Sequence, residues 1–554
     1  MTGTAWNTTT ASGDAELFFG YPDEDAYAAT VQQLVDDEVA SQIAARVPTL
    51  WGPAAEPESA KRLAWVGLAS ESRPLVAEVT ALREELNARG LDHVVLCGMG
   101  GSSLAPEVIT ATDGVPLTVL DSSDPDYVRA ALGDRLERSI VVVSSKSGGT
   151  VETDSQKRAY EKALADSGRD PADHIVVVTD PGSPLDESAG KAGYRVFHAD
   201  PEVGGRYSAL TAFGLVPSGL AGADIGRLLD EAATIQPDLE QDSADNPGLR
   251  LGALLGLANR QGVDKVVLAE HNATSSGFGD WAEQLIAEST GKDGKGILPL
   301  VVPGIDSPNF SPSTPDEVLV TIGDLADHVV PASRFGASVA APLGAAMLLW
   351  EYAVAVAGRL IGINPFDQPD VESAKQAARD MLEGGTKTPQ PAYVDGAVQV
   401  FGTDGLLDGC STVADAVEAL LGRIDPDHGY LAVMAYLDRA RHAHLAHVRD
   451  HLALRTGRPV TFGWGPRFLH STGQYHKGGA PTGVFLQVTA EPREDLAIPD
   501  RPFTFGEFIH AQAIGDATVL AGHDRPVLRL HLTDQRAGLD VLREVLRGKG
   551  GPHR

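Results

Sequence analysis

"VLCGMGGSSLAP", residues 95–106, decides how this chain is read. A β-branched apolar run stops at glycines, two serines follow, and a helical pattern begins. The same texture returns in "VVVSSKSGGTVET", residues 141–153. Around these two stretches, short apolar runs alternate with helical segments: "HVVLC" (93–97), "PLTVLD" (116–121), "SIVVVSS" (139–145), "HIVVVTD" (174–180) and "YRVFH" (194–198). The runs are continuously apolar rather than alternating, which marks strands buried on both faces of a parallel sheet covered by helices. Five such strands with helices between them predict a doubly wound α/β domain.

Working outward, residues 26–90 carry apolar positions at helical spacing, ending on Gly90. A second α/β region opens at "DKVVLAE" (264–270) and continues through "EVLVTIGD" (317–324), "GYLAVMAYL" (429–437), "PVTFGWG" (459–465), "GVFLQVTA" (483–490) and "VLRLHL" (527–532). The expected fold class is therefore α/β, with two doubly wound, three-layer α/β/α units and an N-terminal helical region. The expected division is 1–75 helical, 76–250 first α/β domain and 251–545 second. The apolar stretch Phe335–Trp350 is short of a membrane span, contains Pro342 and reads as a buried core helix, with a long apolar helix running from about Gly344. In "RHAHLAHVRDH" (441–451), His444, His447 and His451 share a helical face, but with no HExxH motif a solvated or partner-facing helix is the better reading than a metal site.

Composition narrows the partners. The chain has 554 residues and a formal net charge of −31, which argues against nonspecific binding to nucleic acid or anionic membranes. It leaves room for a small anion at a locally positive site. Two cysteines, Cys97 and Cys410, exclude a disulfide framework and a CxxC zinc site and suit a reducing compartment. The N-terminus has no basic-then-apolar signal, so the expected location is cytoplasmic.

Helices that start at the carboxyl ends of parallel strands present unpartnered N–H groups and a positive dipole end, which makes an anion site. Glycines let backbone approach a phosphate, and hydroxyls add donors without bulk. Gly98, Gly100, Gly101, Ser102 and Ser103 suit that task at the first strand. Ser145, Lys146, Ser147, Gly148, Gly149 and Thr150 suit it at the third. The glycine spacing is not GxGxxG, and no GxxxxGK[ST] occurs, so the pattern favours a phosphomonoester over a dinucleotide or nucleoside triphosphate.

These two stretches resemble the sugar-isomerase domain, and further segments resemble those of phosphoglucose isomerases: "VGGRYSALTAFGL" (203–215), "WAEQLIAESTGKDGKG" (281–296), "INPFDQPDVESAK" (363–375) and "LHSTGQ" (469–474). The resemblance implies reversible isomerisation of glucose 6-phosphate to fructose 6-phosphate through a cis-enediolate. It implies Glu288 as general base near a helix end closed by Gly291, Arg206 as the cation that stabilises the enediolate, and His470 with Lys375 as ring-opening groups. Gln368 and Gly205 join the turn residues as substrate-binding groups. No cofactor and no metal are implied. His476 competes locally with His470, which is preferred. The histidine segment falls after Lys375 rather than before it as in typical members, and residues 395–468 have no counterpart. A homodimer sharing site residues is the assembly that the resemblance brings; the unmatched segment could block or replace its interface. Two alternatives remain open: an isomerase that also takes mannose 6-phosphate, and a noncatalytic phosphosugar sensor, which would be expected to lack Glu288 and Arg206.

Overall fold

The computed structural model describes residues 6–9, 15–323, 334–382, 384 and 389–547, with the backbone alone for 6–9 and 371–375. The first sheet is wholly parallel, in the spatial order Thr118–Leu120, His93–Gly98, Ser139–Ser144, Ile175–Thr179, Arg195–His198. His93–Gly98 and Ser139–Ser144 are buried along their whole length, as their unbroken apolar character requires. The edge strand Arg195–His198 buries only Phe197 fully, because one side faces no further strand.

The second sheet joins Leu298–Val302, Lys265–His271, Glu317–Gly323 and Gly336–Ala340 in parallel, then adds Glu16–Gly20 and Trp6–Thr9 as an antiparallel pair. The third repeats that plan. Val460–Trp464, Tyr430–Tyr436, Gly483–Ala490 and Val527–Leu532 run parallel, followed by antiparallel Val398–Gly402 and Tyr393–Asp395. The class is mixed α/β with parallel-dominated sheets and an N-terminal helical region, as expected.

Three expectations are corrected. The stretch 251–545, read as one α/β unit, holds strands of two separate sheets, and the unmatched 395–468 segment builds much of the third. Apolar strands of neighbouring sheets look alike in sequence; only pairing assigns them. The N-terminal helical region also supplies the strand Glu16–Gly20, which pairs with Gly336–Ala340 across more than three hundred residues of chain. The stretch Phe335–Trp350 is not helix throughout: Gly336–Ala340 is a strand, while the long apolar helix expected from about Gly344 is present as Leu343–Ile361. Pro342 explains the break, since its ring bars a helical N–H and pushes the preceding residue toward extended backbone.

Leu343–Ile361 is buried at every residue but Arg359 and lies against the helices Pro247–Arg260 and Ile225–Leu239. By length and composition it could cross a membrane, yet 94% of its apolar window is buried inside the protein, each fully buried Leu or Val contributing roughly 1.5–3 kcal/mol. The histidine-rich segment is not one helix. Ala443–His447 is a 3₁₀ turn and Val448–Thr456 an α-helix, so the spacing that put His444, His447 and His451 on one face is broken at their junction.

Candidate active site

The strand order of the first sheet places its two glycine–serine turns side by side. The second strand of the chain lies to one side of the first, and the third strand lies to the other. The chain therefore leaves the first and third strands in opposite directions, and a crevice opens between their carboxyl ends. Gly98 and Ser144, the last residues of those strands, are in register. The turn Gly100–Ser102 then packs against a second 3₁₀ turn, Gly205–Tyr207. A Cβ on Gly101 would overlap the Gly205 carbonyl oxygen, so the absence of a side chain at Gly101 permits this contact. Gly100 has φ +54°, and a Cβ there would come within 2.9 Å of both Gln284 Nε2 and the His470 carbonyl oxygen.

Arg206 sits on the second of these turns with 2% of its surface exposed. Its Nη1 lies 3.5 Å from Glu288 Oε2 and also donates to Gln368 Oε1; its Nε donates to Ser289 Oγ at 3.0 Å. Nη2 donates to the carbonyls of Pro365 (2.8 Å) and Asp367 (2.9 Å). Five bonds in a fixed fork leave the guanidinium no freedom to turn away. Glu288 lies near the end of the helix Phe278–Thr290, whose C-cap is Gly291, and it is buried one turn after Gln284, which donates from Nε2 at 3.3 Å. The Gln284 amide and the His470 carbonyl thus both crowd the space beside Gly100.

His470 reaches this place on the 3₁₀ turn Arg467–His470, which follows the third-sheet strand Val460–Trp464. Arg467 fixes that turn to the first sheet through Glu107 Oε2 and Asp121 Oδ2, both at 2.5 Å. Arg467 and Arg439 hold the Glu107 carboxyl down at about 2 against the opposing effect of burial. His470 Nε2 is 3.0 Å from Glu152 Oε1, which also accepts from Gln512 Nε2 at 2.8 Å. These groups line a cavity of about 270 Å³ together with Ser147, Thr150 and Lys477. Thr150 is the N-cap residue of the helix Val151–Asp166, so that helix presents its positive end here, and Ser145 Oγ donates to Thr150 Oγ1 at 3.1 Å.

The expected residues are therefore mostly gathered. Arg206 and Glu288 form one buried pair, with the exposed Gln368 bonded to it from the rim, and Gly101, Ser102 and Gly205 form the turn beside it. Ser145, Ser147, Thr150 and His470 form the neighbouring group. Lys146 does not line the cavity: its ammonium pairs with Asp180 Oδ2 at 2.8 Å and donates to the Pro201 carbonyl at 3.2 Å. Lys375 lies on the helix Val371–Leu382, whose later residues Ala378 and Leu382 line the cavity, but its side chain is outside the described residues. His476 is elsewhere, stacked on Tyr430 with Nδ1 3.0 Å from its hydroxyl, and burial pushes its pKa well below the usual value.

Sequence reasoning missed four members. Glu152 and Lys292 stood inside quoted motifs but carried no separate signal. Lys292 donates to the carbonyls of Asn364 (2.7 Å) and Asp367 (2.6 Å), tying the loop that contacts Arg206; burial, then the Arg206 charge, pushes it down to about 8. Gln284 also stood inside a quoted motif, one helical turn before Glu288, without being singled out. Gln512 comes from the helix Phe505–Gly522, where no motif marks it.

A family model for phosphoglucose isomerase matches residues 80–296. A glucose-6-phosphate isomerase of Thermosynechococcus vestitus is 30% identical over 385 residues, covering 56% of this chain and 71% of the relative. A protein of Natronomonas pharaonis described as "Probable glucose-6-phosphate isomerase" is 30% identical over 380 residues, covering 60% of this chain and 89% of the relative. The chain belongs to the phosphoglucose isomerase family. The family match includes both glycine–serine turns, Arg206 and Glu288; Gln368, Lys375 and His470 lie beyond its last residue, 296. The fold is also that of a solved glucose-6-phosphate isomerase from Chlamydia trachomatis, with TM-score 0.52 and 21% identity over 67% of this chain and 89% of that one. A hypothetical protein from Thermus thermophilus shares it at TM-score 0.56 and 24% identity, covering 66% of this chain and 99% of its own.

Proposed function

We propose that this chain interconverts glucose 6-phosphate and fructose 6-phosphate through a cis-enediolate. The observation that carries the reading is the buried pair of Glu288 and Arg206, 3.5 Å apart, beside two hydroxyl-rich turns at the switch point of a parallel sheet. The substrate phosphate occupies the crevice, held by Ser102, Ser145, Ser147 and Thr150 with the backbone of Gly101 and Gly205. His470, oriented by Glu152 and Gln512, and Lys375 assist ring opening by moving a proton between the ring oxygen and the anomeric hydroxyl. Glu288 then takes the C2 proton of the open aldose as O1 gains negative charge. Arg206 stabilises that charge, and Glu288 returns the proton to C1 while the O2 proton passes to O1. No atom is lost and no oxidant is required.

A coupled assay of fructose 6-phosphate conversion tests the activity, and the same reaction in deuterium oxide tests the route. We expect deuterium at C2 of recovered glucose 6-phosphate. Complete retention of protium would indicate direct hydride transfer and overturn the enediolate.

The two histidines separate chemistry from packing. His470→Ala should lower turnover of cyclic substrate by up to about 10²-fold, the low end for a general acid–base group, with little change in thermal midpoint. His476→Ala should retain turnover but cost about 3 kcal/mol of stability, because it empties a buried aromatic cluster. Turnover lost only in His476→Ala would reverse the assignment.

A further inference from the structure

Each of the three sheets sets its first four parallel strands in the spatial order second, first, third, fourth. The crevice that this order opens between the first and third strands is used in the first sheet by the two glycine–serine turns. In the third sheet it lies between the ends of Tyr430–Tyr436 and Gly483–Ala490, next to the end of Val527–Leu532. A cavity of about 700 Å³ opens there.

Its lining is cationic, in a chain of net charge −31. Arg441 and His442 enter after the first strand, Arg493 after the third, and Arg536 from the first turn of the helix Gln535–Arg547 after the fourth. Arg441, Arg493 and Arg536 make no ion pair among the described residues. The acids of the rim are engaged. Glu491 pairs with His531 at 3.2 Å and Asp540 with Arg543 at 3.1 Å, while Asp534 accepts from the Ala537 N–H at 2.8 Å. Arg543 also donates to His444 Nε2 at 2.5 Å.

His442 is the second, independent observation. It is 8% exposed, and its Nε2 has no hydrogen-bond partner among the described residues. The adjacent Gln535 side-chain amide donates to the Glu491 carbonyl at 3.0 Å, and that side chain also hydrogen-bonds the His442 ring, which leaves the His442 Nε2 as the unpartnered nitrogen. A buried ring nitrogen left without a partner is costly unless a ligand or water completes it. The N–H groups of Gln535 and Arg536 at the helix start also lack a protein acceptor among the described residues.

We propose that this crevice binds a small phosphate-bearing anion, at a site separate from the one that holds the substrate. Planar guanidinium forks, an imidazole nitrogen and helix-terminal N–H groups are the donors that phosphate oxygens take. The full chain is titrated calorimetrically with inorganic pyrophosphate at 0.15 M potassium chloride, with citrate as a carboxylate control. We expect two classes of pyrophosphate site. The double variant Arg441→Gln/Arg536→Gln should lose one class, and His442→Phe should weaken it by about tenfold. Each should leave the KM for fructose 6-phosphate unchanged. Arg493→Gln, on an exposed loop, keeps the test open if the double variant does not fold. Two classes that persist in folded variants, a single class in the wild type, or equal loss of binding to citrate and pyrophosphate would overturn the proposal.

Discussion

Glu288→Gln is expected to lower kcat for fructose 6-phosphate conversion by about 10³- to 10⁴-fold, the upper range for removal of a general base. Glutamine keeps the shape of the side chain but cannot accept a proton at neutral pH. Its amide oxygen can still take the Gln284 Nε2 donor, now 3.3 Å from Glu288 Oε2. Arg206 retains Ser289, Gln368 and the Pro365 and Asp367 carbonyls, so the guanidinium is not left unsolvated. The stability cost should therefore stay at about 1–2 kcal/mol, and KM should change little because the phosphate contacts lie on other turns. Solvent deuterium should no longer enter C2. A variant that kept more than about a tenth of wild-type turnover would remove Glu288 from the base role.

Arg206→Lys is expected to cost about 10²- to 10³-fold in kcat, the scale of losing a preorganised donor to a developing oxyanion. A lysine keeps the positive charge, so simple charge neutralisation predicts a small effect. The fork geometry predicts a large one, because one ammonium cannot reach Glu288, Ser289, Gln368 and two carbonyls together. The two accounts separate in the kinetics: loss of the fork lowers kcat and kcat/KM together, whereas displacement of the 364–368 loop raises KM as well. A kcat within about threefold of wild type would assign the pair to structure alone.

The crevice between the two glycine–serine turns was legible because its cause is local. Glycines and hydroxyls at the ends of buried β-branched runs announce both the strand ends and the donors, so the turns at Gly98–Ser103 and Ser145–Thr150 could be read before any pairing was known. Glu288 and Arg206 were legible from motifs, and the structure places them 3.5 Å apart. Lys146 had the right neighbours in sequence but turns to Asp180, a choice made by a carboxylate on the next strand's loop. Gln512 carried no signal, since a glutamine on a helix is ordinary until the residue across from it is known. The hairpin Tyr393–Asp395 and Val398–Gly402 turns through Gly396–Ala397, with Gly first as a two-residue hairpin loop favours, and local rules could have found it.

Sequence by itself determined the parallel α/β character, the net negative charge, and the two glycine–serine turns that flank the crevice of the first sheet. All of these follow from short-range patterns: strand apolarity, helix starts and motif spacing. Tertiary structure alone decided that the strands after residue 250 divide between two sheets. It also decided how a histidine far along the chain comes to face Glu152, 318 residues before it. That meeting depends on strand pairing in the third sheet and on Arg467 locked to Glu107 and Asp121. Such contacts are set by burial and charge between distant segments, and no spacing along the chain encodes them.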